Sequence, residues 1–136
     1  MEVKLELLEI YNKRHKLIGY FDGNTFMNKK KKVIGVMKEN TVRNEQSLVR
    51  LKLDKHNDIF INDNKSQVGY ILDSKIHDDA GGVLFELLTD KGQILDNKGK
   101  SILYLEGNSV QPKIENYFGV VAMFLESVLL DKFLHL

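Results

Sequence analysis

The sequence predicts an all-β fold: six short β-hairpin repeats in a closed or radial antiparallel barrel or flower, with one C-terminal helix that plugs or caps it. An Asn or Asp recurs at intervals of 16 to 18 residues, and an apolar stretch at residues 114–134 follows the last repeat. We call the recurring residue the anchor of its repeat and count offsets from it. The six anchors are Asn12, Asn28, Asn44, Asn62, Asp78 and Asp96.

Each anchor is predicted to open a hairpin turn. Asn and Asp favour the first position of a type I turn, where the side chain accepts hydrogen bonds from the backbone ahead. At offset three, a hairpin with a G1 bulge needs left-handed backbone, which glycine adopts best. That offset holds Gly81 and Gly99 in the last two repeats. The other repeats carry residues that suit it less well: His15, Lys31, Ser47 and Lys65.

A second turn is predicted between consecutive strands at the end of each repeat, so that six repeats give about twelve strands of about five residues. The breaker residues are Asp22-Gly23-Asn24, Glu39-Asn40, His56-Asn57, Asp73-Ser74, Asp90-Lys91-Gly92 and Glu106-Gly107-Asn108. A large apolar residue precedes every anchor by two positions, as expected of a core position: Ile10, Phe26, Val42, Phe60, Ile76 and Ile94. Residues 2–7 are expected to add an N-terminal strand.

Alternation assigns the two faces of the second strand of each repeat. In the third repeat, offsets six and eight are Arg50 and Lys52, whereas offsets five, seven and nine are apolar. Offsets five, seven and nine are therefore predicted to face the core, and offsets six and eight to face outward. Three repeats have glycine at the inward offset seven, which indicates tight curvature or close backbone approach: Gly19, Gly35 and Gly69.

Several outward offsets are nevertheless apolar, and either the sheet tolerates their exposure or something covers them. The pairs are Ile18 with Tyr20, Ile34 with Val36, Val68 with Tyr70, and Ile102 with Tyr104. The helix predicted over 114–134 has one charge in the 14 residues 117–130, too few for a surface helix, and it is too short for a membrane span. It is expected inside a closed sheet, across its outer faces, or against another chain. The candidate association surface comprises Tyr20, Val36, Tyr70, Tyr104, Phe118 and Phe124.

The repeats, of the form I-Y-N-K-x-x-K-x-I-G-Y over residues 8–108, resemble the bacterial "beta flower" proteins, whose units read x-Y-[ND]-x-x-G-x-x-I-G. Several repeats here lack the glycines of that pattern. The chain also resembles tubby-like barrels, including the LURP-one and scramblase relatives, in which paired strands wind around an apolar C-terminal helix. Both resemblances imply closed all-β architecture, and neither implies a catalytic residue.

The turns of the first two repeats are basic, and neighbouring hairpins would place them side by side on one rim. This candidate anion-binding rim comprises Lys13, Arg14, Lys16, Lys29, Lys30, Lys31 and Lys32. It could bind the phosphates of a lipid or nucleic acid, or simply be solvated turns that discourage edge pairing. The fourth to sixth turns read as acidic or neutral. Residues 62–66 suggest a calcium loop only weakly, because its bidentate Glu and spaced Gly are missing.

No motif indicates catalysis. His77 beside Asp78 and Asp79 could bind a metal or act as a base, but no second His follows at ligand spacing. His15, His56 and His135 are isolated, and no serine lies in a G-x-S-x-G elbow. The chain has no cysteine and no phosphate-binding glycine loop. We expect no enzyme activity, no cofactor and no metal.

Composition predicts a single domain over residues 1–136, with hairpins at 8–108 and the helical segment at 109–136. The net charge of +1 exerts no general attraction on nucleic acid or membrane, and the N-terminus does not resemble a signal peptide, so a soluble cytoplasmic protein is expected. The first functional hypothesis is a non-enzymatic binding or structural module that associates with itself. The alternative is an anion-binding domain that uses the lysine-rich turns, with a membrane surface as a weaker and nucleic acid as the least favoured partner.

Overall fold

The computed structural model describes residues 7–45, 49–61, 67–107, 112–125, 128–129 and 132–133. The predicted N-terminal strand and the candidate calcium loop at 62–66 lie outside these residues, apart from Leu7, which is not in a strand. The described elements are β1 (Leu8–Asn12), β2 (Leu17–Phe21), β3 (Thr25–Asn28), β4 (Val33–Lys38), β5 (Thr41–Asn44), β6 (Val49–Leu53), β7 (Asp58–Ile61), β8 (Gln67–Leu72), β9 (Lys75–Asp78), β10 (Val83–Leu88), β11 (Gln93–Asp96), β12 (Ser101–Glu106) and α1 (Ile114–Phe124).

The twelve strands form a closed antiparallel barrel, which confirms the predicted fold class and selects the closed arrangement. Each strand pairs with the strands before and after it in sequence. The last strand, β12, pairs with β1, with Ile10 opposite Leu105. Closure leaves no free edge among the twelve described strands, and it places the sixth hairpin beside the first.

The C-terminal helix lies inside the barrel. Six consecutive residues of α1, 117–122, are buried, so the sheet surrounds the helix on every side. A barrel of twelve strands is wide enough to hold more than its own side chains. The predicted helix reached residue 134, whereas α1 ends at Phe124 and Leu125 is not helical. Helical backbone returns at Val128–Leu129 and Lys132–Phe133.

The helix runs from one end of the barrel to the other. We call the end formed by the anchor turns the anchor end, and the opposite end the far end. Near the start of α1, the Tyr117 hydroxyl donates to the Thr89 carbonyl in a far-end turn, over 3.4 Å. Burial, followed by the charge of Asp90, raises the pKa of Tyr117 to about 12, so the hydroxyl stays protonated. The last residues of α1 therefore reach the anchor end.

The glycines at offset seven allow the close backbone approach that was predicted, and they also leave room for side chains from α1 and the residues after it. A Cβ at Gly19 would lie 2.6 Å from Cε1 of Phe124, and one at Gly69 would lie 2.6 Å from Cε1 of Phe133. At Gly35 it would lie 2.6 Å from the carbonyl oxygen of Arg43. Each distance is shorter than any real Cβ contact, so a larger residue would force the helix or the strand to move.

All six hairpins carry a bulge that corrects the predicted faces. In each one the register skips offset six: in the first, Gly19 pairs with Ile10 and Leu17 with Tyr11, so that Ile18 has no partner. A bulge puts two successive residues opposite one and so changes the alternation. The prediction that offset five faces the core is wrong at Val33, which is 47% exposed. The prediction that offset six faces outward is wrong at Leu84, which is 7% exposed.

Beyond the bulge, the prediction for offsets seven and nine is confirmed: the residues at both offsets are buried in all six second strands. The residues two before the anchor are also fully buried in five repeats. The fourth repeat differs, because Ile59 rather than Phe60 pairs with Gly69. Ile59 has no exposed surface, whereas Phe60 is half-buried and opposite Lys52, so the anchor spacing misaligned this repeat by one residue.

The turn chemistry agrees with the prediction. Backbone at offset three is left-handed in the four described anchor turns, including His15 with φ of 58° and Lys31 with φ of 64°. The anchor side chain compensates by accepting two backbone hydrogen bonds. Asn28 Oδ1, for example, accepts from the N–H groups of Lys30 at 2.9 Å and Lys32 at 3.0 Å. The first five far-end turns also lie where they were predicted.

Candidate functional site

A cleft opens at the anchor end, between the turns of the first and sixth hairpins and the end of the central helix. Its volume is about 920 Å³, within the range of small-ligand sites. Barrel closure brings the two turns together, although they are more than 80 positions apart in sequence. The lining residues are Asn12, Lys13, Arg14, Lys16, Ile18, Phe85, Asp96, Asn97, Lys98, Ile102, Leu103, Phe124, Leu125, Val128 and Lys132.

The cleft combines an apolar floor with a cationic rim. Seven lining residues are aliphatic or aromatic, and they come from β2, β10, β12, α1 and the residues after α1. Among the described lining residues, five are cationic and one is a carboxylate, a formal charge of +4 in a protein whose net charge is +1. Positive charge is therefore concentrated here, because the rest of the chain must be net negative.

The first turn presents its cations without using their side chains in the fold. Asn12 Oδ1 accepts from the backbone N–H groups of Arg14 at 2.9 Å and Lys16 at 3.1 Å. The side chains of Lys13, Arg14 and Lys16 are exposed. The turn is thus held by main-chain bonds to the anchor, and the charged groups are available to a ligand.

The sixth turn is built in the same way. It was predicted to be acidic or neutral, but its lysines make it cationic. Asp96 Oδ1 accepts from the N–H groups of Lys98 at 2.9 Å and Lys100 at 3.0 Å. These backbone hydrogen bonds, with that from Lys100 the larger, lower the pKa of Asp96, so the carboxylate stays charged beside the cleft. Lys98 then adds a cation to the rim. The acidic character of Asp96 is outweighed by the two lysines that follow it in the turn, Lys98 and Lys100.

A second, smaller depression of about 500 Å³ adjoins the cleft between the first two hairpins. It shares Lys16 and Ile18 with the cleft and adds Lys29 and Lys30. The predicted rim therefore divides. Lys13, Arg14 and Lys16 line the cleft, and Lys29 and Lys30 line the neighbouring depression. Lys31 instead lies 5.3 Å from the ring centroid of Tyr20, and Lys32 is exposed and lines neither.

Sequence reasoning missed Lys98, Lys132 and the apolar floor. Lys98 is at offset two, as are Arg14 and Lys30, so a closed barrel would have grouped the three turns. Lys132 follows α1, and its Nζ lies 5.9 Å from the ring centroid of Phe85, within the range of a cation–π contact. No sequence pattern revealed that the helix ends at this opening.

The outward tyrosines are covered by the same chain. His15 stacks on Tyr104 with ring centroids 4.0 Å apart, and His77 stacks on Tyr70 at 4.7 Å. Together with Lys31 on Tyr20, these contacts are made by turn or strand residues of the next hairpin around the barrel. The residues of the candidate association surface thus have neighbours within the monomer.

The two helix residues of that surface are not on the outside of the barrel. Phe118 has no exposed surface, so a partner chain cannot contact it in this fold. Phe124 is partly buried, packs edge-on against Phe26 with centroids 6.2 Å apart, and lines the cleft. Val36 is half-buried on β4.

The His77 turn has a structural explanation as well. Nδ1 of His77 lies 3.3 Å from the Gly81 carbonyl, and Asp78 Oδ1 accepts from the N–H groups of Ala80 and Gly82. Over the residues that the structure describes, no group of three or more His, Asp or Glu side chains could hold a metal ion.

Comparison of the chain with protein-family models, with curated proteins and with solved structures gives no match. Among the described residues, no helix has both the length and the apolar character needed to cross a membrane. The function must therefore be inferred from the chemistry of the cleft.

Proposed function

We propose that this protein is a non-enzymatic binding domain whose ligand carries a phosphate or carboxylate, and that the anionic group binds the cationic rim of the anchor-end cleft. The observation that carries the proposal is the concentration of five cations around one concave opening. A concave site walled by low-dielectric protein focuses the field of such charges and raises the local concentration of an anion.

Two features of the rim support this role. The planar guanidinium group of arginine can donate two hydrogen bonds to an oxyanion, and the ammonium group of lysine attracts it as a point charge. Neither Arg14 nor Lys16 uses its side chain to hold the turn. Asp96 is the single opposing carboxylate among the lining residues that the structure describes. Its Oδ1 accepts the turn hydrogen bonds, as that of Asn12 does in the first turn.

Self-association has less support than anion binding. The features of the sequence that favour it are the apolar outward positions and the apolar helix. The bulges, the covering contacts on the tyrosines and the central position of α1 account for these features within one chain. The central helix is also the arrangement that the tubby-like resemblance implies, and it supports that resemblance over the flower-like one. Nucleic acid stays the least favoured partner, because the cations surround a cleft rather than form an extended stripe.

The test is a titration with glycerol phosphate followed by backbone amide NMR shifts. We expect the shifts to cluster at 12–16 and 96–100. Replacing Lys13, Arg14 and Lys16 together by Gln should weaken binding by about tenfold or more, equivalent to about 1.4 kcal/mol. The matched control replaces Lys38, Lys55 and Lys91 by Gln: these side chains are exposed at the far end, and the change in net charge is the same.

Equal loss of affinity in the two triple variants would mean that only net charge matters, and would reject the rim as the site. Shifts scattered over the surface would reject it too. Added salt should weaken specific binding, since exposed charges are screened over about 10 Å at 0.1 M ionic strength.

A further inference from the structure

We infer that the ligand is a single-chain amphiphile, with its anionic head on the rim and its aliphatic chain in the anchor-end cleft. This inference rests on the proposed function and adds the chemical class of the ligand. It depends on the floor of the cleft, which the anion proposal does not use. The shared chemistry is one acyl or alkyl chain on a carboxylate or a phosphate, as in a fatty acid or a lysophospholipid.

The floor is apolar in a way that a free anion would not require. It includes Ile18 and Ile102, the unpaired bulge residues of the first and sixth hairpins. Regular alternation would point these two side chains outward, but each bulge turns its residue toward the interior. Phe124 and Leu125 from the end of the central helix complete the surface. A small inorganic anion would leave this surface in water, whereas an aliphatic chain would cover it.

The size and boundaries of the cleft favour one chain. Beyond Phe124 the barrel is filled by α1, whose Val120 and Val121 have no exposed surface, so the cleft cannot continue into the interior. About 920 Å³ is the size of a site for one small ligand. A bilayer surface exposes lipid headgroups but keeps the acyl chains in its interior, so it would contact the cationic rim and leave the apolar floor empty. The expected ligand is therefore a monomeric amphiphile.

Val128 makes part of the apolar floor accessible to solvent and so to a ligand. It is 43% exposed and lies on the cleft just beyond the helix. Its neighbour in the cleft, Lys132, places a cation beside the same apolar wall, over the ring of Phe85. Head and chain sites are thus continuous, as an amphiphile requires.

Four probes separate the contributions of head and chain by calorimetry below their micelle concentrations. Dodecyl phosphate and dodecanoate carry both groups, glycerol phosphate carries only a head, and dodecyl maltoside carries a chain with a neutral head. We expect dodecyl phosphate to bind roughly a hundredfold more tightly than glycerol phosphate, the gain expected from burying about four methylene groups. The comparison of dodecyl phosphate with dodecanoate distinguishes a lysophospholipid from a fatty acid.

The outcomes separate the two proposals. Equal affinity for dodecyl phosphate and glycerol phosphate, both weakened by the rim variant, would overturn the amphiphile and leave anion binding intact. Binding of dodecyl maltoside as tight as that of dodecyl phosphate would overturn the anionic head. No binding of any probe would overturn both.

A tryptophan reporter locates the chain independently of affinity, because the protein has no tryptophan of its own. In Val128→Trp the new indole lies at the cleft. In Leu72→Trp, at a position that is 56% exposed beside a far-end turn, the new indole lies at the opposite end of the barrel. A bromine-labelled alkyl phosphate should quench the first fluorescence and spare the second. Equal quenching of both, or of neither, would contradict a chain in the cleft.

Discussion

At the scale of the residue, one side-chain oxygen determines each of the four anchor turns that the structure describes. Asn12 and Asp96 accept the same pair of backbone hydrogen bonds, at offsets two and four. The bonds make left-handed backbone tolerable even at His15 and Lys31, where no glycine is present. The anchors were therefore predictable from the sequence, because turn chemistry depends only on neighbouring residues. The cleft was not, because it depends on which turns become neighbours when the barrel closes.

Replacing Asp96 by Asn should keep the turn and remove its sensitivity to acid. The pKa of Asp96 is lowered in the folded state, mainly by the backbone hydrogen bond from Lys100, so the charged carboxylate stabilises the fold above the unfolded pKa of about 4. This contribution is lost as the pH falls through the folded pKa. As the pH falls over the same range, the free energy of unfolding of the Asn variant should decrease less than that of the wild type. Urea unfolding at a series of pH values measures both.

The same variant should bind glycerol phosphate more tightly, since it removes the lining carboxylate. Asn12→Asp is the complementary change and should weaken binding while it preserves the first turn. Unchanged affinity in both variants would show that the charge at these anchors does not reach the ligand.

Gly19→Ala should destabilise the fold by about 1–3 kcal/mol, as overpacking of a core does. The added methyl group would lie 2.6 Å from the Phe124 ring, with the Met27 carbonyl also in its path. The control is Gly99→Asn, at an anchor-turn position where a Cβ meets nothing within 4 Å and where His15 and Lys31 already adopt the same backbone. Denaturant unfolding compares the two. An Ala variant as stable as the control would mean that helix and strand do not approach as described.

At the scale of the element, the sequence predicted the strands but not their bulges. Period-two alternation identified the buried offsets seven and nine, and it failed at offsets five and six, where one extra residue changes the alternation. Isoleucines such as Ile18 and Ile102 therefore looked like exposed apolar residues. The burial of the helix was one of three arrangements allowed by its composition, and only a closed barrel could select it.

The fourth hairpin provides a direct test of register. Ile59→Ala should cost about 2–5 kcal/mol, because its side chain has no exposed surface. Phe60→Ala should cost clearly less, since the ring is half-buried on the outer face opposite Lys52. Thermal or denaturant unfolding measures both. The reverse order would restore the alignment suggested by the anchor spacing, with Phe60 in the core.

At the scale of the whole molecule, the barrel and the helix depend on each other. The helix fills a space that twelve strands enclose and their own side chains leave open, and Gly19 and Gly35 leave room for its last residues. The order of the strands follows the chain, so each hairpin forms from local contacts and only β1 with β12 must meet from opposite ends of the sheet. That last pairing also assembles the cleft, which is therefore a product of closure.

The same arrangement leads us to expect a monomer of 15.7 kDa at micromolar concentration. The helix is enclosed by its own barrel, and three outward tyrosines are covered by neighbouring hairpins. The most exposed large apolar side chains among the described residues, Leu72 at 56% and Val33 at 47%, lie on separate strands, and single exposed residues of this kind are normal. Light scattering coupled to size-exclusion chromatography measures the mass directly. A stable dimer would contradict this expectation and would support the outer face as an association surface. Leu72→Lys would then be the first variant to test, because it places a charge on that face without changing the core.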